Sequence, residues 1–133
     1  MAHAQPTSSA FHGAVDVADV LVIPVLDAMP GWQGAMQLLR HLHQLGGHAA
    51  DLARNAIIVR MHDGRPEDRD VIAYGDQLIN NAGIQHVFHV PFDPHIADRT
   101  TLTFSKLTPA TIDAITLLTA AIVQQLNQNV RKA

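Results

Sequence analysis

Three short, mainly apolar runs alternate along the chain with longer stretches in which apolar residues recur at helical spacing. The runs are Val20–Leu26, Ala56–Val59 and His86–Val90. Because apolar and β-branched residues occupy both faces of the first run, it is typical of a strand buried on both sides. The third run stops at Pro91, which lacks the amide that a further ladder bond needs. We therefore predict three strands.

Helical spacing of apolar residues predicts a helix before the first strand and one after each strand. In chain order these stretches are about Ser9 to Val17, Ala35 to Leu45, Val71 to Ala82, and Pro109 to Leu126 and beyond. Gly46-Gly47 and Gly83 are good stop signals for the second and third helices. Pro66, Glu67 and Asp68 suit the first turn of the third helix, and Thr108 suits the N-cap of the last.

The order α-β-α-β-α-β-α predicts right-handed crossovers between parallel strands. The expected fold class is therefore α/β, with a small, mainly parallel sheet in a three-layer αβα arrangement. We expect residues 1–8 to be a disordered or added tail and residues 9–133 to form a single domain. A sheet of three strands is thin, and the first strand presents a flat apolar edge with little charge to protect it. We expect another copy, another chain or a missing amino-terminal half to complete it.

Composition narrows the classes of function. The 133 residues are 47% hydrophobic with a formal net charge of -3, which gives no field for nonspecific binding of DNA or of an acidic membrane. The absence of cysteine excludes disulfides, thiolate metal sites and a cysteine nucleophile. The longest apolar stretch, Ile112 to Val123, is too short and too polar to predict a membrane span, and no signal peptide is evident. We expect a cytoplasmic protein.

Polar side chains gather where the three predicted strands end, at the edge where open parallel sheets bind ligands. These residues are Asp27, Arg60, His62, Asp63, Asp93 and His95. One interpretation is a ligand site, and the other is that strand-to-helix loops are polar anyway. No recognised spacing of metal ligands is present. A small enzyme that uses Asp27, Asp63, Asp93 and His95, with or without a divalent ion, remains one hypothesis.

A phosphate-binding loop is absent from the sequence. Such a loop needs glycines whose amides face the phosphates and a lysine that neutralises them. The two lysines are Lys106, which has no glycine nearby, and Lys132, which is almost terminal. We therefore expect no ATPase activity from this chain alone and no cofactor bound by it alone.

The order of three motifs resembles the ParA/MinD family of partitioning and positioning ATPases. The first is Ala18-Asp19 followed by four apolar residues and Pro24, with Gly34 and an amphipathic helix after it. The second is the strand Asn55–Val59, and the third is the Pro-x-Asp loop Pro91–Asp93, with Ile96-Ala97 close behind. The resemblance covers about residues 10 to 128.

The resemblance implies the carboxy-terminal half of such a domain, that is, half of a Rossmann-like P-loop NTPase fold. The phosphate loop and the magnesium-binding aspartates would then belong to a preceding half, which would supply the ATP and Mg²⁺ sites. Pro91, Phe92 and Asp93 would lie on the adenine side of the nucleotide pocket. Members of the family often have an asparagine that contacts the base at the end of the middle strand, and this chain has Arg60 near that position.

An autonomous adaptor or dimerisation module derived from the same fold is the alternative hypothesis. Its contact surface would be the apolar edge of the first strand together with Trp32, although ordinary packing also explains a tryptophan at the start of a helix that covers the sheet. The expected partner is thus a second copy or a complementary amino-terminal half.

Overall fold

The structure is a computed structural model that describes residues 9–97 and 102–132. Its elements are α1 (Ser9–Val17), β1 (Val22–Leu26), α2 (Met29–Leu45), α3 (Gly47–Arg54), β2 (Ile57–Met61), α4 (Arg69–Ala82), β3 (His86–Val90), α5 (Pro94–Ala97) and α6 (Pro109–Lys132), with a 3₁₀ turn at Phe104–Lys106. The tail predicted at residues 1–8 lies outside the described residues.

The three strands form one parallel sheet in the order β1-β2-β3, so the predicted α/β class and the parallel pairing are confirmed. The register places Pro24 opposite Val59 and Val59 opposite Phe88. Clusters of buried side chains lie on both faces of the sheet, which is compatible with three layers. The bounds predicted for α1 and β3 agree with the structure.

Among the helix boundaries that differ from the prediction, those after α2 and before α4 have a clear local cause. Gly46 ends α2 with a positive φ of 70°, as expected, but Gly47 begins a further helix, α3, rather than a loop. At the start of α4, Asp68 is the N-cap, and its carboxylate accepts bonds from the amides of Asp70 and Val71. The prediction that Pro66, Glu67 and Asp68 form the first turn of this helix was therefore wrong, because the capping carboxylate fixes a later start.

The front face of the sheet packs against α1 to α4 and contains the larger core. Ile23 and Val25 of β1 and Ile58 of β2 are buried there. Trp32 of α2 is completely buried, and a Cβ added at Gly75 of α4 would lie only 2.5 Å from its ring. A glycine is therefore needed at the point where α4 crosses the indole ring.

The back face of the sheet packs against α6 alone among the described residues. Ile57 and Val59 of β2 and Val90 of β3 form a smaller cluster with Ala114 of α6. The Asn129 amide of α6 donates to the Asp19 carbonyl at 2.8 Å, just before β1. The helix therefore runs from the end of β3 to the start of β1 and crosses the sheet obliquely.

The outer edge of β1 carries a proline at a hydrogen-bonding position. The Leu21 carbonyl and the Asp27 amide bond to β2, so the alternating positions Val22, Pro24 and Leu26 direct their backbone groups outward. Pro24 has no amide to offer a further strand, and such a strand would find donors only at Val22 and Leu26. The edge is thus better protected against pairing than its lack of charge suggests.

Candidate functional site

Arg60 connects the tips of β1 and β2 from a buried position. Its guanidinium donates to both carboxylate oxygens of Asp27 at 3.1 Å, to the Ile72 carbonyl at 3.3 Å and to the Asp76 carboxylate. The Trp32 indole donates to Asp27 at 2.8 Å, and the guanidinium carbon lies 4.9 Å from the centre of the indole ring. These contacts form a closed hydrogen-bonded network between β1, β2, α2 and α4.

The charges in this network stabilise one another. Burial acts to raise the pKa of the Asp27 carboxyl, but hydrogen bonds from Arg60 and Trp32 outweigh it and hold that pKa below its usual value. Burial likewise acts to lower the pKa of Arg60, and the carboxylates of Asp27 and Asp76 reverse the direction and raise it. Arg60 is only 3% exposed, and its bonds to Asp27 and Asp76 keep these groups charged despite that burial.

The network has structural rather than chemical consequences. A general base must present its carboxylate to a reacting atom, and both oxygens of Asp27 already accept hydrogen bonds from buried donors. Asp27 and Arg60 were predicted at the strand-tip edge, and the structure brings them together there. The contribution of Asp76, from α4, was missed because nothing in its helical context distinguishes it from other exposed carboxylates.

A small open pocket lies beside this network. It has a volume of about 270 Å³ and is formed by the tips of β1 and β2 and the segment leading into α4. Asp27, His62 and Asp63, all predicted site residues, line it. The Asp63 side chain accepts a bond from the Arg65 amide and pairs with its guanidinium at 3.4 Å, close to solvent. The His62 ring stacks on that of His89 with centroids 6.2 Å apart.

Asp93, the third predicted carboxylate, lies apart from this pocket and anchors the loop after β3. One of its oxygens accepts from the His95 amide and the other from the Thr108 amide, each at 2.9 Å. The bond from the Thr108 amide is the main cause that holds the pKa of Asp93 below its usual value. Asp93 is 3% exposed, and it links the start of α5 to the start of α6. Thr108 and Pro109 begin α6 as predicted.

The remaining predicted residues lie on this same loop. His95 accepts a bond from the Thr103 amide at its Nε2 atom, 2.8 Å away, which orients its ring toward the chain rather than toward a ligand. Phe92 is 41% exposed, and its ring packs beside Gly64, whose φ is +85°. Pro91 is half-buried. Of the four residues predicted for the adenine side, Phe92 is the most exposed to solvent.

The predicted acid–base and metal set does not converge. Asp27 and Asp63 share one pocket, whereas Asp93 and His95 are engaged in the loop before α6. In residues 9–97 and 102–132, no three histidine or carboxylate side chains come together in a way that could bind a metal ion.

A contact surface that we call the β1–α6 surface lies on the back of the sheet. It consists of Pro24 and Leu26 of β1 and of Ile115, Ile122, Leu126 and Val130 of α6, which share one side of that helix. Ile122 packs in one cluster with Val20 and Val22, so this side of α6 faces β1. Leu26, Leu126 and Val130 are 47%, 38% and 74% exposed.

The sequence predicted an unfinished apolar edge at β1 but not the contribution of α6. Of the two interpretations of Trp32, the structure supports ordinary packing rather than a contact surface, because the side chain is fully buried under α4. By length and composition alone, Pro109–Arg131 could cross a membrane, and a single such helix is weak evidence for a span. Polar bonds at both ends of α6 attach it to the sheet.

The comparisons with known proteins found no significant match to a family model, to a curated protein or to a solved structure.

Proposed function

We propose that this chain is a non-catalytic half of a ParA/MinD-like ATPase domain and that a complementary half carrying the phosphate loop completes it across the β1–α6 surface. The proposal combines the order of the three sequence motifs with one structural observation, the exposed apolar side of α6 beside β1. Partitioning or positioning of a cellular cargo in the cytoplasm would be the role of the completed domain.

The β1–α6 surface carries the proposal because exposed apolar area of this kind is typical of a contact surface. Leu126 and Val130 project from a helix whose opposite flank already covers β2 and β3. A strand and a helix from another chain would extend the sheet beyond β1 and cover Leu26 at the same time. Pro24 limits the ladder to the donors of Val22 and Leu26, so most of the binding energy would come from burial of side chains.

The strand tips favour a supporting role rather than a catalytic one. Phosphates and Mg²⁺ supply most of the anchoring of a bound nucleotide, and the carboxylates of Asp27 and Asp93 are already engaged within the chain. The exposed ring of Phe92 and the adjoining Pro91 are the groups that this chain could offer to a base. Arg60 and Asp93 would shape that region from beneath without contacting the nucleotide.

The test is co-expression with a polypeptide that carries a glycine-rich loop ending in Lys-Thr and is encoded immediately upstream of this chain. We expect a complex with one copy of each, measured by light scattering. Leu126→Asp should abolish it, because the new carboxylate would be buried without a partner. Leu117→Asp is the matched control, since Leu117 is 62% exposed on the other side of α6. A complex that Leu126→Asp leaves intact would contradict the proposal.

A dimerising adaptor is the second candidate, and Pro24 is the observation that favours it. A proline at an outward position weakens strand addition while leaving the helical side of the surface free to pack against a second copy. A particle of twice the chain mass that Leu126→Asp converts to a monomer, with no binding of the complementary half, would support the adaptor and refute the half-domain.

A further inference from the structure

A groove between α2 and α4 lies on the outer side of the front helices, away from the β1–α6 surface. It has a volume of about 560 Å³, within the range of specific binding pockets. Met36 and Leu39 of α2 and Tyr74 and Leu78 of α4 supply its apolar wall. Leu39 belongs to the buried core, and the other three side chains are half-buried, so the floor of the groove is firmly packed.

The polar residues at the groove are cationic or neutral. Arg40 and His43 of α2 lie on it together with the amides of Gln33, Gln37 and Asn81. None of the described residues that line it carries a carboxylate, although acidic residues outnumber lysine and arginine by 12 to 9 in the whole chain. The Arg40 side chain makes no ion pair or hydrogen bond with any described residue.

The residue types at the groove match those of protein contact surfaces. Tyrosine, methionine and arginine are enriched in the buried centres of interfaces, whereas lysine, aspartate and glutamate are depleted there. Met36 can adapt its shape to an incoming side chain, and Tyr74 combines a ring with a hydroxyl that can bond at the rim. An arginine next to such a wall is a frequent source of binding energy at interfaces.

We propose that this groove binds an acidic amphipathic helix of another protein. The groove follows α2 from Gln33 to His43, a length of roughly 15 Å at 1.5 Å per residue, which accommodates about three turns of a helix. The apolar side chains of the bound helix would lie against Met36, Tyr74 and Leu78. A glutamate or aspartate one turn away would pair with Arg40.

Other occupants fit the groove less well. Residues 1–8 of the chain contain no carboxylate, and Met1 is their only large apolar residue. The exposed residues Leu126 and Val130 of a second copy are accompanied on α6 mainly by uncharged amides, and Arg131 near its end would repel Arg40. Charge complementarity therefore favours an acidic partner over either part of this chain.

The test uses a model peptide of leucine, alanine and glutamate, with leucines along one helical face and glutamates beside them. A length of roughly 18 residues is needed, because shorter peptides are marginal helices in water. Binding is measured by calorimetry and mapped by amide chemical shifts of the full chain. We expect shifts confined to α2 and α4, and an affinity that falls as salt rises.

Charge variants separate the groove from nonspecific attraction. Arg40→Glu should weaken binding at least about tenfold, because it replaces the proposed pairing with repulsion. Arg131→Glu makes the same change in net charge on exposed α6 and should leave the affinity within about twofold, since that residue lies outside the groove. Neither variant should impair binding of a complementary half at the β1–α6 surface. The experiments can therefore contradict the proposed groove without contradicting the proposed half-domain, and the reverse.

Four outcomes of the peptide experiments would overturn the proposal. They are no measurable binding, equal binding of a peptide in which lysine replaces glutamate, equal binding of a peptide whose helix is broken by proline, and shifts that map to α6. Concentration-dependent shifts at Met36 and Tyr74 without any peptide would identify a second copy as the occupant and would also overturn it.

Discussion

The front face of the sheet buries Trp32, Leu42 and Ile58 almost completely, whereas the back face leaves Leu26 and Leu126 partly in solvent. Among residues 9–97 and 102–132, four helices pack on the front and α6 alone packs on the back. The front is therefore a finished core, and the back has the mixture of buried and exposed apolar side chains that is typical of a contact surface.

The same contrast applies to charged residues. On the front face, the side chains of Asp27 and Arg60 are 7% and 3% exposed and bond to each other, so packing explains their presence at the strand tips. A polar residue at a strand end is thus weak evidence of a ligand site until its hydrogen bonds are known. On the back face, the exposed apolar side chains of Leu26 and Leu126 are the evidence for a contact surface.

Removing a charge from the front network should have the largest effect on stability. Asp27→Asn leaves Arg60 buried with its main partner neutralised, and loss of one partner of a buried pair costs about 3–5 kcal/mol. Chemical unfolding in urea measures the change. Asp63→Asn removes a carboxylate whose one ion-pair partner among the described residues is exposed Arg65, and it should cost less than about 0.5 kcal/mol. Equal costs for the two variants would show that the network does not stabilise the front face.

Adding a methyl group between α2 and α4 should have the next largest effect. Gly75→Ala places a Cβ about 2.5 Å from the rigid ring of Trp32, and overpacking of this kind costs about 1–3 kcal/mol. Gly34→Ala on exposed α2 meets nothing within 4 Å and should stabilise the protein by up to about 1 kcal/mol through helix propensity. The two midpoints of thermal unfolding should therefore move in opposite directions, and a shared direction would contradict the packing described for α4.

Acid should lower the free energy of unfolding by protonating Asp27 in the front network. The loss should be smaller than the loss caused by Asp27→Asn. The pKa of this carboxyl is lowered on folding, so its stabilisation is complete above the unfolded value of 3.8 and is lost as the pH falls through the folded value. The difference in unfolding free energy between the wild-type chain and Asp27→Asn, measured from neutral pH downward, should narrow below pH 3.8 without disappearing. A difference that stays constant to the lowest pH would mean that folding does not lower the pKa of Asp27.

Substitutions on the back face should have the smallest effect on the isolated chain. Leu126→Asp exposes a charge at a position that already meets solvent, and such surface changes are usually within about 0.5 kcal/mol. Its unfolding curve should match that of Leu117→Asp, while its binding to a complementary half should be lost. A large loss of stability from Leu126→Asp alone would mean that this side of α6 is part of the core.

Much of the fold could be predicted from the sequence, because the strands of a parallel sheet are short apolar runs and the intervening helices have regular spacing. α1, β3 and the start of α6 agree with prediction for that reason. α3 was missed because it begins at the second of two glycines and its buried face is built mainly from alanines, which give little periodic contrast. The start of α2 at Met29 was missed because Pro30 and Gly31 obscure the helical pattern.

The candidate site was predicted in part. The position of Asp27, Arg60 and Asp63 at one edge follows from parallel topology, but sequence does not reveal that Arg60 turns inward and bonds to Asp76 and the Ile72 carbonyl. The β1–α6 surface could not be predicted in full either. The periodicity of α6 shows apolar residues around much of the helix, and only the path of α6 across the sheet decides which of them are covered.

The most direct test of the central claim is Mg²⁺-dependent ATP turnover by the purified chain, alone and with the complementary half. No turnover should be measurable for the chain alone. Turnover should appear when the complementary half is added and disappear again in Leu126→Asp. Turnover by the chain alone that Asp27→Ala or Asp93→Ala abolishes would contradict the account.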